Sequence, residues 1–187
     1  KLLRFTTGKR NAFWHKNCVA LGLASGFMEP LESTSIHLVQ SAIARLLSLF
    51  PDRHFDSVDI DEYNRQTHFE MDRIRDFLIL HYCATARDDS DFWNYCRTMD
   101  IPDTLQQKLD HFRANGRIVR ANNELFNELS WMEVMLGQGI TPRGYHPLVD
   151  AMPQEMFAGR MREIKSVVER SVQAMPSHRE FIAQHCA

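Results

Sequence analysis

The sequence is short of residues that break, cross-link or anchor a chain. It has eight glycines and seven prolines among 187 residues, and it contains no internal repeat or low-complexity tract. Its mean hydropathy is −0.36, and no apolar run approaches the roughly 18–20 residues of a membrane-spanning helix. Apolar residues make up 44% of the chain, which is enough for a sizeable core. These features predict a soluble globular protein of one large domain or parts of two, with no membrane partner.

Cysteine and histidine do not form a recognisable metal or disulfide pattern. The four cysteines are far apart and make no C-x-x-C pair, so we expect reduced thiols rather than a zinc site or a disulfide framework. None of the nine histidines belongs to an H-E-x-x-H motif. We therefore predict no metal site.

Charge is nearly balanced, with 22 basic and 24 acidic residues and a net charge of −2. This balance argues against nucleic acid or an anionic membrane as a partner. The first ten residues lack the apolar core and cleavage site of a secretory signal, so cytoplasm is the expected compartment.

The first 28 residues differ from the rest because they contain no Asp or Glu. Five of them are basic: Lys1, Arg4, Lys9, Arg10 and Lys16. These residues could neutralise a cofactor diphosphate or solvate strand ends, and the sequence leaves both alternatives open. Short apolar runs broken by glycines predict strands and turns here. We expect one or two strands here that have no partners in the remaining sequence and cannot form an independent sheet. For this reason, and since no Met begins the chain, we expect it to be the C-terminal part of a larger protein.

The remainder has a helical period, so the predicted fold is mainly α with a short β segment at its start. An amphipathic helix covers 36–50 and ends before Pro51, with an apolar stripe that includes Ile36, Ile43 and Leu47 opposite a polar one. A long helix follows from Ser57, with a predicted inner stripe of Ile60, Tyr63, Thr67, Met71, Ile74 and Leu78. Shorter helices are predicted at 90–98, 103–114 and 121–136. After an irregular passage, the period resumes at Phe157 and a capping box at Ser177 predicts a last helix.

The segment G-L-A-S-G-F-M-E-P-L-E-S-T-S-I, residues 22–36, carries the chemistry. Small residues at Gly22 and Gly26 allow close approach of a ligand to the backbone. The start of the following helix presents unpaired N–H groups that attract anions. The carboxylates of Glu29 and Glu32 lie in the same turn, where one could hold or accept a proton. The alternative is a plain helix cap, with Ser33 as the capping residue and the Glu32 carboxylate helping at the N-terminal end of the helix.

This segment resembles that of flavin-dependent halogenases of the tryptophan halogenase family. The preceding L-R-F-T-T-G-K-R and the later E-Y-N-R-Q-T, R-D-F-L-I-L-H-Y, D-F-W-N-Y-C-R, F-R-A-N-G-R, S-W-M-E-V-M-L-G-Q-G and Y-H-P-L-V-D are also typical of that family. The resemblance implies that residues 1–32 end a Rossmann-like FAD-binding domain and that 33–187 form a helical domain over the substrate. It also implies that the G-x-G-x-x-G loop, the W-x-W-x-I-P signature and a catalytic lysine lie upstream, so that this chain alone is inactive.

The resemblance also implies roles for individual residues. Glu32 matches the glutamate that positions the lysine or accepts the arene proton, and the amides of Thr34 and Ser35 match the pair that holds chloride or bromide. Tryptophan-specific members usually have glycine where this chain has Ser35, whose Cβ restricts the backbone. The residues expected to border the flavin are Gly22, Gly26, Phe27, Pro30 and Leu31.

Reduced FAD, supplied by a separate flavin reductase, would react with oxygen and halide to halogenate an electron-rich, indole-like arene. The helix from about Asn122 to Leu136 lacks the Tyr-Tyr pair that binds free tryptophan, so another arene is expected. Phe126 and Trp131 are candidates for stacking on that ring, and Trp131 could equally belong to the core.

Two other functions remain as alternatives: a halogenase-like flavin monooxygenase that hydroxylates its substrate, and a non-catalytic helical interaction module. The sequence His81-Tyr82-Cys83 could suggest a Cys–His nucleophile. Because adjacent helical residues point in different directions, we interpret these three residues as packing.

Overall fold

The computed structural model of the chain describes residues 4, 6–121 and 123–186. Residues 1–3 and Phe5, in the first apolar run, lie outside the described residues, as does Asn122 near the predicted start of the substrate-lining helix. The described part contains seven α-helices, four two-residue strands and two short 3-10 helices. The predicted mainly α fold is confirmed.

The helices follow the predicted order. They are α1 (Ser35–Ser48), α2 (Ser57–Cys83), α3 (Asp91–Thr98), α4 (Asp103–Asn115), α5 (Glu128–Gly137), α6 (Gln154–Ala174) and α7 (His178–His185). Helix α5 begins later than the predicted residue 121, because the Asn127 side chain accepts a hydrogen bond from the Ser130 amide and so caps the helix there. The predicted capping box of Ser177 and Glu180 is present at α7.

The four strands pair with one another as two antiparallel ladders. Strand β1 (Gly8–Lys9) pairs with β4 (Gly26–Phe27), and β2 (Trp14–His15) pairs with β3 (Cys18–Val19). Both ladders in the described part of the chain lie within residues 8–27, so the strands pair with one another and not with the sequence that follows. A Cβ at Gly26 would lie 2.7 Å from the Gly8 carbonyl oxygen, so the close pairing of β1 and β4 requires glycine at this position.

The chain divides into two compact units, Lys1–Gly144 and Tyr145–Ala187. In the first unit, the N-terminal strands are held by α2: the Asn64 side-chain oxygen accepts hydrogen bonds from the amides of Phe13 at 2.7 Å and Trp14 at 2.9 Å. The described residues before 32 thus share a compact unit with α1–α5. The division at residue 32, which rests on the family resemblance, stays a prediction.

Helix α2 supplies the centre of the first unit. Its predicted inner stripe is buried at Tyr63, Thr67, Met71, Ile74 and Leu78. Toward its end, α2 contributes to a core cluster made of Phe77, Leu80, Leu105, Leu109, Phe112, Trp131 and Met135. This cluster joins α2 to α4 and α5.

Helix α1 packs on α2 mainly through its polar stripe, although Leu46 of the apolar stripe also packs against the core. The buried Glu70 carboxylate on α2 accepts hydrogen bonds from Ser41 and Arg45, each at 2.9 Å, while Ile36 and Leu47 on the apolar stripe are 74% and 67% exposed. An apolar stripe normally predicts the buried face of a helix, and for α1 that prediction is wrong. A buried carboxylate requires hydrogen-bond donors, and α1 provides them on this side.

No helix in the described part of the chain is long and apolar enough to cross a membrane.

Candidate functional site

The turn before α1 brings the predicted catalytic and halide-binding residues together. The Ser33 amide donates a 2.9 Å hydrogen bond to the Pro30 carbonyl oxygen, which closes the turn. Ser33 adopts a left-handed backbone with φ of 52°, a conformation that few residues other than glycine accept. The chain reverses at Ser33, with Glu32 on one side and the N-cap Thr34 on the other.

The amides of Thr34 and Ser35 are available to a ligand. The first N–H groups of a helix have no acceptor within it, and among the described residues no other acceptor lies within hydrogen-bond distance of these two. The Thr34 residue is buried, whereas Ser35 is exposed. Ser35 is not among the residues with positive φ, so its Cβ causes no backbone strain at the start of α1. An anion at this point would meet two donors and the positive end of the helix dipole.

A cavity of about 320 Å³ is lined by both residues, Thr34 and Ser35. Gly22, Gly26 and Phe27, all predicted to contact the flavin, line this cavity together with Thr34 and Ser35. Gly22 has a φ of +57°, where glycine avoids the strain that a side chain would cause. The structure thus brings five predicted site residues to one cavity.

Pro30 and Leu31, also predicted to border the flavin, are exposed in the turn and do not line this cavity.

Glu32 contacts the end of α2. Its Oε1 atom lies 2.9 Å from Nε2 of His81, and the two side chains are 33% and 17% exposed. The other ring nitrogen of His81, Nδ1, lies 2.8 Å from the Phe77 carbonyl oxygen. The predicted catalytic carboxylate of Glu32 therefore contacts His81, a histidine that the sequence pattern assigns to packing.

His81 also packs against the aromatic cluster that contains the predicted substrate residues. The Phe77 ring meets His81 edge-on at 4.9 Å, stacks on Phe126 at 3.9 Å, and meets Trp131 at 4.8 Å. Trp131 has no exposed surface and the Lys108 ammonium lies 4.9 Å from its ring centre. This burial favours the core alternative for Trp131. Phe126 is half-buried and keeps surface for a ligand.

A second cavity, of about 580 Å³, opens on the other carboxylate of the segment, Glu29. Its lining includes Tyr82 and Phe92, and Tyr82 stacks on Trp93 at 6.1 Å. Burial raises the pKa of the Tyr82 hydroxyl, and the neighbouring Glu29 carboxylate raises it further. Tyr82 therefore remains protonated and neutral near pH 7.

Two of the basic residues among the first 28 make polar contacts within the chain. Lys9 forms a 2.6 Å ion pair with Asp72, and Arg10 donates a 2.9 Å hydrogen bond to the Ala24 carbonyl oxygen. These contacts tie the strands to α2 and to each other. They favour a structural role for Lys9 and Arg10 over binding a cofactor diphosphate.

Side chains that could bind a metal do not cluster among the described residues. Within the ranges that the structure describes, no group of three or more His, Cys, Asp or Glu side chains could hold a metal ion. All four cysteines are free thiols.

The chain is similar to proteins of one known family. The family described as tryptophan halogenase matches residues 1–154. A flavin-dependent halogenase from Xanthomonas campestris is 51% identical and superposes with a TM-score of 0.93 over 98% of this chain and 37% of its own. One from a Brevundimonas species is 46% identical, with a TM-score of 0.89 over 95% of this chain and 36% of its own.

Among curated proteins, the tryptophan 6-halogenase of Streptomyces albogriseolus is 30% identical over 97% of this chain and 37% of its own length. The tryptophan 7-halogenase of Lentzea aerocolonigenes is 29% identical over 97% of this chain and 38% of its own length. This chain thus spans little more than a third of the relatives it matches.

Proposed function

Because this chain belongs to the tryptophan halogenase family, we propose that it forms the C-terminal part of a flavin-dependent halogenase that chlorinates or brominates an electron-rich arene. The observation that carries this proposal is the turn at Ser33. Two unpaired amides that suit a halide lie on one side of the turn, and a carboxylate fixed by His81 lies on the other.

The residues in this chain fit the ring of a flavin better than its diphosphate. The 320 Å³ cavity is lined by Gly22, Gly26 and the two residues that carry these amides, and small residues with backbone donors suit a flat polar ring. The sequence contains no G-x-G-x-x-G loop for a diphosphate. Reduced FAD and oxygen, when bound in the complete enzyme, would supply the two-electron oxidation that makes halide electrophilic.

The chain's own residues would act on the halide and on the arene. The amides of Thr34 and Ser35 would bind chloride or bromide through charge-assisted hydrogen bonds. As the arene forms its new carbon–halogen bond, it loses the proton from the same carbon, and the Glu32 carboxylate would accept that proton. The half-buried Phe126 would contact the arene face.

The complete enzyme would need components that this chain does not supply. Reduced flavin would come from a separate reductase, since nothing in the chain suggests a nicotinamide site. The chain alone would not turn over, because it contains neither the dinucleotide loop nor a lysine assignable to the catalytic role. An indole, phenol or pyrrole is the expected class of substrate.

The test is product analysis with the complete halogenase that includes this chain. We expect bromide, oxygen, FAD and a flavin reductase to give products with the bromine isotope doublet from a panel of indoles, phenols and pyrroles. Hydroxylated products without bromine would identify a monooxygenase instead. Absence of any flavin-dependent product, together with absence of FAD binding, would favour the interaction module.

Substitution of Glu32 tests its role. Glu32→Gln removes the charge and keeps the bulk, so we expect kcat for halogenation to fall by about 10²–10⁴-fold while FAD binding is retained. Glu29→Gln makes the same change three residues earlier in the same segment, and should keep most of the activity. Turnover by Glu32→Gln at the rate of the unchanged enzyme would remove Glu32 from the mechanism.

A further inference from the structure

We infer that His81 is a positioning residue for the reaction: it contacts one oxygen of the Glu32 carboxylate and leaves the other to face the reacting groups. The inference deepens the proposed function and rests on it. It follows from the contact between Glu32 and the last turn of α2, which joins residues 49 positions apart (81 − 32).

The hydrogen on Nδ1 is fixed by the Phe77 carbonyl. A carbonyl oxygen accepts hydrogen bonds and cannot donate them, so the 2.8 Å contact requires a hydrogen on Nδ1 of His81. The ring is thereby held with its other nitrogen, Nε2, 2.9 Å from the Glu32 carboxylate oxygen Oε1.

The contact between His81 and Glu32 brings Nε2 within 2.9 Å of Oε1. The pair is partly shielded from water, with the side chains of His81 and Glu32 17% and 33% exposed, so electrostatic attraction between them is weakened less than at a fully exposed site. The contact places the Glu32 carboxylate against the last turn of α2.

The ring of His81 has little freedom to move. Nδ1 is bound to Phe77 O in the preceding turn of α2, and the Phe77 ring contacts the imidazole edge-on at 4.9 Å. Phe77 is itself buried in the core cluster, where it stacks on Phe126. The position of the Glu32 carboxylate is thus set by the buried core cluster, and not by its own turn alone.

Glu32 keeps one oxygen for chemistry. Among the described residues, Oε1 is paired with His81, and Oε2 has no partner within hydrogen-bond distance. A carboxylate held at one oxygen and free at the other is oriented to accept a proton, or to pair with a cation, at a defined point.

The experiment compares three variants of the complete halogenase. His81→Phe removes both contacts while keeping an aromatic ring, and we expect kcat for bromination to fall by as much as about a hundredfold with little change in the KM for arene. His81→Gln keeps a donor that reaches Glu32, so it should recover part of that loss. His111→Phe makes the same change at an exposed histidine on α4 and should leave kcat unchanged.

A double-mutant cycle separates positioning from a general effect on folding. If His81 acts through Glu32, His81→Phe costs little further activity once Glu32→Gln is present. Full additivity of the two losses would overturn the inference, as would an unchanged kcat in His81→Phe. Failure of the unchanged enzyme to brominate any arene would instead overturn the proposed function, so the two failures are distinguishable. Thermal unfolding and FAD binding of each variant, measured in parallel, identify a fold that is lost.

Discussion

Ser33 determines how the two halves of the candidate site are presented. Its left-handed backbone, with φ of 52°, turns the chain between Glu32 and the amide of Thr34. Such a conformation costs a residue with a side chain about 1–2 kcal/mol relative to glycine. Conformational strain of this kind often occurs at sites where the geometry is functional.

Substitutions at Ser33 test this backbone conformation. Ser33→Val places a β-branched side chain in the left-handed region, so we expect a loss of about 1–2 kcal/mol in the free energy of unfolding. Ser33→Gly should be as stable as the unchanged chain or slightly more so. Urea denaturation measures both, with Ser166→Val on the exposed surface of α6 as a control that changes stability by about half a kcal/mol or less. Equal stability of the valine and glycine variants would contradict the left-handed assignment.

The contact between His81 and Glu32 also shows what local sequence patterns cannot predict. The segment 22–36 could be recognised as an anion site with a nearby carboxylate, because the small residues and the helix start are local features. Its histidine partner is 49 positions away (81 − 32), and no local pattern connects the two. Because adjacent helical side chains point in different directions, the sequence His81-Tyr82-Cys83 predicts packing. The same difference in direction allows His81 to reach Glu32 without its two neighbours.

At the scale of the element, α1 and α2 differ in how well the sequence predicts their orientation. The apolar period of α2 identifies its buried face, since Tyr63 and Ile74 have no exposed surface. On α1 the same rule selects the wrong face. Arg45 and Ser41 pair with Glu70 of α2, 25 and 29 positions away (70 − 45 and 70 − 41), and the need of a buried carboxylate for donors decides the packing.

Two alanine substitutions test the orientation of α1. Leu47→Ala removes a side chain that is 67% exposed, so the free energy of unfolding of the 187-residue chain should change by no more than about 0.5 kcal/mol. Leu80→Ala makes the same change in the core and should cost about 2–5 kcal/mol. Chemical denaturation of both variants measures the difference. A loss at Leu47 as large as that at Leu80 would mean that the apolar stripe of α1 is packed.

Helix ends marked by a glycine or a capping residue were the most predictable feature of the elements. Gly116 ends α4 in a left-handed conformation, just after the predicted helix 103–114, and Ser177 with Glu180 begins α7. The start of α5 was less predictable, because the apolar period extends before the Asn127 cap. A capping side chain fixed this boundary where hydrophobic period alone did not.

At the scale of the whole molecule, the chain consists of two compact units held without disulfides. All four cysteines are free: Cys18 and Cys186 are exposed, Cys83 is half-buried and Cys96 is buried. The family and the mainly α fold could be recognised from motifs spread over nearly the whole length. The pairing of the short strands with one another could not, because two-residue strands carry too little pattern to identify a partner.

Thiol labelling tests this arrangement. In the native chain, a maleimide should modify Cys18 and Cys186 first, since the thiolate reacts and both are accessible. Cys83 should react more slowly, because burial raises the pKa of its thiol, and Cys96 should react only after unfolding. Mass spectrometry of peptides over time measures the order. Labelling of Cys96 as fast as Cys18 would contradict the described packing of α3.

The length of α2 limits how chimeras of this chain and its relatives can be built. Its 27 residues span about 40 Å, and the helix both clamps the N-terminal strands through Asn64 and delivers His81 to Glu32. One residue inserted between those two positions would rotate His81 by about 100° around the helix axis relative to Asn64. Chimeras of related sequences should therefore tolerate exchanged side chains along α2 far better than any change in its number of residues.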